Sequence, residues 1–452
     1  MQDLTQIQIA IFNFICKNKT GFVFGGDTAQ TIAQGVGFRF QDVRYLFYEH
    51  FLQGTADGLP KVWQLKQNFR THSGILALSN TLIEKIFEFF PNTVDKVESE
   101  TGALFQGARP WFIEDSTDGL AKVLFGADQA HDGDMSSVEM GSNQAIIVRN
   151  DTVKMNLEKR IPGALILTIF ESKGMEFEDV LLYNFFKDSN SSYSKWRLLV
   201  NDNATSYHGF DEKRDNDLCT ELKALYVAVT RAKCQLVMID ESEKTNPIFD
   251  WWKDLGVVSF ISGGPNLSFA KASSPEEWNA RGDEFLDRGQ LESAIICFTR
   301  AKNSKKLYKS QAMLDSRNGE KLLALGNESK SKQAFISAAE SYLQIDEELL
   351  AAECYLKGKR YESAADLFFK NGNVFKALAI CLETKALSQA LSFFNLFKSN
   401  DDSSMVNMIN RYARFFALAA RRKGEKGLVS EFISFVSVPS ARAFLKRYGT
   451  LN

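Results

Sequence analysis

A chain of 452 residues with 44% hydrophobic and 24% charged content is long enough for two or three globular domains. Its net charge of −2 excludes overall basicity as a means of holding nucleic acid, so any such contact needs locally basic surface. No apolar run reaches the ~20 residues that span a bilayer, the start shows no sorting signal, and the four His and six Cys form neither H-E-x-x-H nor C-x-x-C. Neither membrane nor structural metal is expected, and the expected location is intracellular, in the nucleus or cytosol.

In chain order, "TGFVFGG", "QAIIVRN", "ALILTIF", "DVLLYNFF" and "CQLVMID" are short runs rich in Val, Ile and Phe, suited to strands buried on both faces. Between them "SGILALSNTLIEKIFEFF" and "DLCTELKALYVAVTRAK" repeat apolar residues every three to four positions, as helices do. That alternation predicts a parallel α/β sheet up to about residue 245. Asp115 to Gln144 reads as a surface excursion with one short helix around "LAKVLFGA". A Gly/Pro/Ser cluster, "SGGPNLSFAKASSPEE", marks residues 246–276 as a linker, and from 277 to 452 the pattern is all-helical.

The helical part repeats itself. "WNARGDEFLDRGQLESAIICFTRA" sets Trp278, Gly282, Phe285, Ala294, Phe298 and Ala301 at positions 4, 8, 11, 20, 24 and 27 of the tetratricopeptide pattern. Gly326, Ala338 and Tyr342 are read as positions 8, 20 and 24 of a second unit, and Ala352, Tyr355, Ala364 and Phe368 as 8, 11, 20 and 24 of a third. Spacings of 44 and then 26 residues between the position-20 alanines predict an irregular helical-hairpin solenoid. Further on, "RYARFFALAARRKGEK" interleaves Arg with aromatics. Helical spacing there favours packing of Tyr412, Phe415 and Phe416 in the solenoid over a nucleic-acid stripe.

Four segments carry chemistry. "FVFGGDTAQTI" runs an apolar strand into Gly-Gly-Asp, with Gln30 on the next turn; "LKQNFRT" sets Phe69 beside Arg70 before a helix; "ILTIFESKGMEFEDVLL" holds Thr168, Lys173 and Glu176; and "TELKALYVAVTRAKCQLVMID" is a helix presenting Arg231. In this order they resemble motifs III, IV, V and VI of the UvrD/Rep/PcrA-type superfamily 1 helicases. The opening "MQDLTQIQ" is similar to the end of motif II in that family, so the chain is expected to start inside that motif.

The resemblance implies a RecA-like (P-loop NTPase) α/β fold: the C-terminal remnant of a first domain at 1–65, a second domain at 66–245, the linker at 246–276 and the tetratricopeptide-like repeats at 277–452. It implies an ATP-dependent helicase or translocase, with ATP and Mg²⁺ as cofactors and single-stranded nucleic acid, DNA in expectation, as partner. The repeats imply an unidentified protein partner. By the same resemblance Gln30, Arg70 and Arg231 form the catalytic set. Gln30, Phe69, Arg70, Glu176 and Arg231 contact the nucleotide: Gln30 senses the γ-phosphate, Phe69 stacks on adenine, Arg70 and Arg231 reach the phosphates, and Glu176 accepts from the ribose. Thr168 and Lys173 lie at the nucleic-acid backbone, and Glu221 belongs to the helix leading into motif VI. Arginine suits the phosphate role because its planar fork pairs with phosphate oxygens in a bidentate way.

Three departures stand beside the match. Phe170 occupies a place where the bacterial enzymes have His, and the 97 residues from 71 to 167 leave no room for the family's large accessory insertion. The only Gly-Lys dipeptide, Gly358-Lys359, lies in the repeats without the G-x-x-x-x-G-K-[ST] spacing, so the metal ligands and phosphate loop are expected outside these residues. A helical interaction module carrying an inactive helicase remnant is the alternative.

Overall fold

The computed structural model describes residues 4–18, 21–32, 39–55, 57–95, 105–113, 119–125, 138–200, 210–242, 247–261, 269–396 and 403–447. The chain divides into two compact units, Met1–Trp278 and Asn279–Asn452.

In the first unit, α1 (Gln6–Ile15) starts at a capping box in which Thr5 and Gln8 satisfy each other's backbone N–H. It packs with α2 (Phe40–Leu46) and the π-turn Phe47–Phe51 around Ile9, Val43 and Phe47. The expected strand at 22–24 does not form. The segment is extended, with Phe22 and Phe24 stacked 5.5 Å apart on this small core and Val23 directed to solvent, but no strand lies alongside it among the described residues. The "MQD" of the opening falls outside the described residues.

After α3 (Ser73–Phe89) the sheet begins. Its elements are β1 (Trp111–Ile113), α4 (Gly119–Phe125), β2 (Gln144–Val148), α5 (Asp151–Arg160), β3 (Ile166–Thr168), α6 (Ile169–Ser172) and β4 (Phe177–Tyr183). They continue with α7 (Tyr193–Leu198), α8 (Asn216–Val229), β5 (Ala232–Ile239), α9 (Pro247–Leu255) and β6 (Ser259–Ile261). The six strands lie in the order β3-β2-β4-β5-β1-β6, and every pairing is parallel. One face, from Ile146, Val148, Leu181, Val237 and Ile239, meets α4 and α5 through Leu120, Val123 and Leu157. The alternate residues Ala145, Ile147, Val180 and Leu182 are also buried, and α3 and α8 lie against β5. Burial on both faces explains the continuous apolar runs of the strands.

Two strands, β1 and β6, were not expected; three residues are too few to show a period. The "ALILTIF" run is half strand and half helix, because Thr168 caps α6: its Oγ1 accepts from Glu171 N while Glu171 Oε2 accepts from Thr168 N at 2.8 Å. The short helix of the 115–144 excursion is α4, while 114–118 and 126–137 lie outside the described residues. The stretch read as a linker is structured where described, since α9 and β6 complete the sheet. Gln144 Nε2 donates to Phe269 O at 2.6 Å, and Lys271 pairs with the buried Asp179 at 3.0 Å.

The chain continues through helical pairs: α10 (Pro275–Asp287) and α11 (Leu291–Arg300), α12 (Ser304–Ala324) and α13 (Glu328–Leu343), α14 (Glu348–Lys357) and α15 (Tyr361–Lys370). Then come α16 (Val374–Thr384) and α17 (Leu387–Leu396), α18 (Ser403–Arg422) and α19 (Lys426–Ser434), and finally α20 (Pro439–Arg447). Each of the five pairs turns through one left-handed residue: Gly289, Gly326, Lys359, Lys385 and Gly424, with φ of 71°, 76°, 59°, 57° and 78°. Seven residues before the first three stand Gly282, Gly319 and Ala352, and nine after stand Phe298, Phe335 and Phe368. A Cβ on Gly282 would lie 2.5 Å from the Phe298 ring, and one on Gly319 would lie 3.0 Å from Phe335.

This moves the register of the second unit. Position 8 is Gly319, position 20 is Ser331, whose hydroxyl donates to Gly319 O at 2.8 Å, and position 24 is Phe335; Gly326 is the turn residue. The position-20 residues Ala294, Ser331 and Ala364 are therefore 37 and then 33 residues apart, closer to a regular repeat than the sequence reading. The acid after each small residue pairs with a lysine in the first helix of the next pair: Asp283 with Lys306 at 2.7 Å, Glu320 with Lys357 at 2.7 Å and Glu353 with Lys376 at 3.4 Å. The same lysines stand 5.6, 5.4 and 4.1 Å from the centres of Phe298, Phe335 and Phe368. A carboxylate, lysine and phenyl ring thus recur as a ladder through three units, each step a partly exposed ion pair of modest strength over a cation–π contact.

Candidate nucleotide and nucleic-acid site

Asp27 organises the first segment. Its Oδ1 accepts from Ala29 N at 3.0 Å, capping the short turn Thr28–Gln30, and its Oδ2 accepts from Gln30 Nε2 at 2.8 Å. Tyr226 of α8 donates its hydroxyl to the same oxygen at 3.4 Å. The Gln30 amide is therefore turned so that its Oε1 faces Arg231, whose Nη2 donates to it at 3.4 Å.

Arg231 follows the carboxyl end of α8, where unpaired carbonyls favour a cation. Its Nε donates to Val227 O at 2.8 Å, Nη1 to Met175 O at 3.0 Å and Nη2 to Thr230 Oγ1 at 3.0 Å. The side chain is 1% exposed. Burial first, and then the like charge of Arg70, push its pKa down to about 10, while Tyr226, Glu176 and Asp27 oppose the shift. It remains cationic at neutral pH.

Arg70 lies in a turn closed by Asn68, whose Oδ1 accepts from both Arg70 N and Thr71 N at 3.0 Å. The turn is anchored to β5 by Thr71 Oγ1 on Lys233 O at 3.1 Å and by His72 Nε2 on Cys234 O at 2.8 Å. From there Arg70 Nε meets Glu176 Oε1 at 2.5 Å, while Lys233 Nζ holds Glu176 Oε2 at 2.9 Å. Burial raises the Glu176 carboxyl, but Lys233 and Arg70 outweigh it and leave its pKa below the ordinary value. Phe177 N donates to Arg231 O at 2.9 Å, which sets Glu176 beside the second arginine. The Phe69 ring is 71% exposed next to Arg70.

Gln30, Arg70, Glu176 and Arg231 are thus brought together at the amino ends of β4 and β5. Thr168 is not with them. It is level with Val148 at the carboxyl end of β3, whereas Asp179 is level with Gln144. At ~3.3 Å per residue, Thr168 and Glu176 stand roughly 20 Å apart along the strands. The Thr168 hydroxyl is committed to its capping box, and the half-buried Lys173 follows α6 on the crossing between the two ends. Phe170 is exposed.

Glu221 lies apart as well, ten residues and about 15 Å before Arg231 along α8. It is buried against Arg149 and accepts from Ser189 Oγ at 2.7 Å; burial raises its carboxyl against the pull of Arg149. Asp27, Tyr226 and Lys233, which the sequence reading did not single out, contact this cluster through Gln30 and Glu176. Lys233 had a readable signal, since it follows Arg231 by two in "TRAK" and strand alternation returns it to the same side.

An adenine nucleotide fits this chemistry. An exposed ring stands beside two guanidinium groups whose mutual repulsion an anion would relieve. Among the described residues no group of three His, Cys, Asp or Glu side chains is placed to hold a metal ion. Nor is any described helix long and apolar enough to cross a membrane.

Residues 142–243 match the family described as UvrD-like helicase C-terminal domain, a span that includes Thr168, Lys173, Glu176 and Arg231. The human TPR and ankyrin repeat-containing protein 1 is 30% identical over 441 residues, covering 89% of this chain and 15% of that protein. A component of the ATP-dependent helicase/nuclease of Lachnoclostridium phytofermentans is 30% identical over 109 residues, covering 20% of this chain and 8% of its own length. The chain thus spans only a small part of either relative. Parallel sheet, ordered motifs and helical hairpins agree with these matches: the chain carries a UvrD-like helicase C-terminal domain joined to a tetratricopeptide-like run of helices.

Proposed function

We propose that this chain supplies the second RecA-like domain, about 66–245 with the strand at 259–261 completing its sheet, of an ATP-dependent motor moving on single-stranded DNA. Residues 1–65 form the end of the first domain, and 277–452 form a repeat region that binds a protein. The observation that supports this reading most is the buried Arg231, which makes hydrogen bonds to Gln30 and to the carbonyl before Glu176. These bonds also hold the fold, but their partners lie on two of the four motif segments, which favours the motor reading over a bare scaffold.

Bound ATP supplies a γ-phosphoryl group whose transfer releases the energy of movement. Phe69 stacks on the base; Arg70, let go by Glu176, and Arg231 offset negative charge that grows during transfer, the role in which such arginines change rates by about 10³ to 10⁵. Gln30 couples the phosphate side to the strand-binding side because its amide both donates and accepts. Thr168 and Lys173 face the nucleic-acid backbone. Mg²⁺ has no ligand set among the described residues.

The test joins the chain to a phosphate-loop-bearing first RecA-like domain on one polypeptide and measures ATP turnover with and without single-stranded DNA. DNA-stimulated turnover that falls by roughly 10² in Arg70→Ala is expected. Turnover indifferent to Arg70 and to DNA would overturn the reading.

A further inference from the structure

The last helical pair differs from the first three. Where Lys306, Lys357 and Lys376 are each matched to a carboxylate, residues 403–447 hold nine Lys and Arg against two Glu in a chain whose net charge is −2. On α18 the exposed residues Arg411, Phe415, Leu418 and Arg422 recur at i, i+4, i+7 and i+11, which is one helix face. Arg414, one turn from Arg411 and adjacent to that face, makes no hydrogen bond or ion pair among the described residues, and its buried Nε has no partner.

Aromatic rings complete the face. Phe375 of α16 is 64% exposed and meets Tyr412 edge-on at 5.6 Å, and Phe415, 47% exposed, lies 6.4 Å from the same ring. Tyr412 and Phe416 are buried, as their spacing predicted, but Phe415 is not. Two exposed rings therefore both contact one buried ring, and Arg411 and Arg422 share the exposed helix face of Phe415 with no carboxylate partner among the described residues.

Exposed large rings cost free energy in water unless something covers them, and among the described residues these guanidinium groups have no anion to pair with. A ligand that satisfies both at once offers flat π-faces joined by regularly spaced negative charge. We propose that Phe375, Phe415, Arg411, Arg414 and Arg422 form a second single-stranded nucleic-acid site: bases stack on the two rings, and phosphates pair with the arginines. An acidic peptide matches the charge but gives the rings nothing to stack on, and an anionic membrane would not require their spacing. The choice of nucleic acid is consistent with the proposed motor but does not depend on it, because the two sites share no residue.

Fluorescence anisotropy of the full chain with a labelled 20-nucleotide oligo-dT tests this over a series of salt concentrations. Phe375→Ala/Phe415→Ala is expected to weaken binding about tenfold or more while the chain still melts cooperatively, with only a small fall in Tm from the lost contacts with Tyr412. Phe415→Tyr should retain binding. Arg411→Glu/Arg414→Glu should weaken binding and flatten the dependence of log K on log salt by about two contacts' worth. Lys173→Ala, which probes the proposed motor surface, should leave this component in place. No oligo-dT binding by the parent chain would overturn the proposal, as would binding that ring removal leaves unchanged. So would equal loss of polyglutamate or phosphatidylserine-vesicle binding in the charge-reversed variant with no effect of the ring variant on any probe. Binding abolished by Lys173→Ala alone would overturn this site while supporting the motor.

Discussion

Arg231 and Gln30, 201 residues apart in the chain, meet through a 3.4 Å hydrogen bond from guanidinium to amide oxygen, and the same amide is held from behind by Asp27. The turn after a Gly-Gly-Asp and the end of α8 thus become one polar unit. The two arginines of the site consequently differ in kind: Arg231 is buried and bonded through every nitrogen, while Arg70 is partly exposed on a turn.

Arg231→Ala should therefore damage the fold as well as any activity. It leaves Met175 O and Gln30 Oε1 without their donor and opens a cavity, at a cost of about 3 kcal/mol. Arg70→Ala should cost less than about 1 kcal/mol, because an ion pair of this exposure is screened by solvent. Urea denaturation of both variants checks the contrast; equal midpoints would mean that Arg231 is not buried as described.

Glu176 gives a pH signature. Its folded pKa lies below the ordinary 4.5, so the stability it contributes is present above that value and is lost as pH falls through the folded pKa. Burial alone pushes the carboxyl up, so Lys233→Ala should move its titration upward. Carbon-13 NMR resolved at the Glu176 side chain should show a midpoint below 4.5 in the parent and a higher one in the variant. An unmoved midpoint would remove Lys233 from the network.

Phe69→Ala should weaken binding of a fluorescent ATP analogue about tenfold without shifting the melt, because the ring is exposed and stacking on one face is worth roughly 1–3 kcal/mol. Equal affinity for parent and variant would place the base elsewhere.

The repeat register predicts an order of stability losses. Ala294→Glu buries a charge at a fully enclosed position and should cost several kcal/mol. Gly282→Ala sets a Cβ 2.5 Å from Phe298 and should lower stability by about 1–2 kcal/mol after the ~1 kcal/mol helix gain, whereas Gly319→Ala, at 3.0 Å, should come out near neutral. Calorimetric melts of the helical transition rank them; Gly319→Ala as the worst of the three would refute the register.

What the amino-acid sequence determined by itself is local. Continuous apolar runs mark β2, β4 and β5 because a parallel strand covered on both faces has no polar side. The motif order singles out Gln30, Phe69, Arg70, Glu176 and Arg231 as the proposed nucleotide contacts because each is tied to a short stretch of chain. Spacing also marked the first helical pair, where Gly282 and Phe298 fill one another's space.

The tertiary structure decided what depends on neighbours far away. Only pairing in the sheet turns the three-residue runs at 111–113 and 259–261 into strands, whereas 22–24 has no strand beside it among the described residues. The second helical unit contains glycines at 319 and 326; the left-handed turn at Gly326 and the ring over Gly319 show which is which, a distinction composition cannot make. Lys233 meets Glu176 because β5 lies beside the turn of Arg70, and Thr168 stands apart from Glu176 because β3 carries it to the opposite end of the sheet. Secondary structure follows from near neighbours in sequence, whereas the meeting of charges follows from strand order and register, which the chain fixes only when it packs.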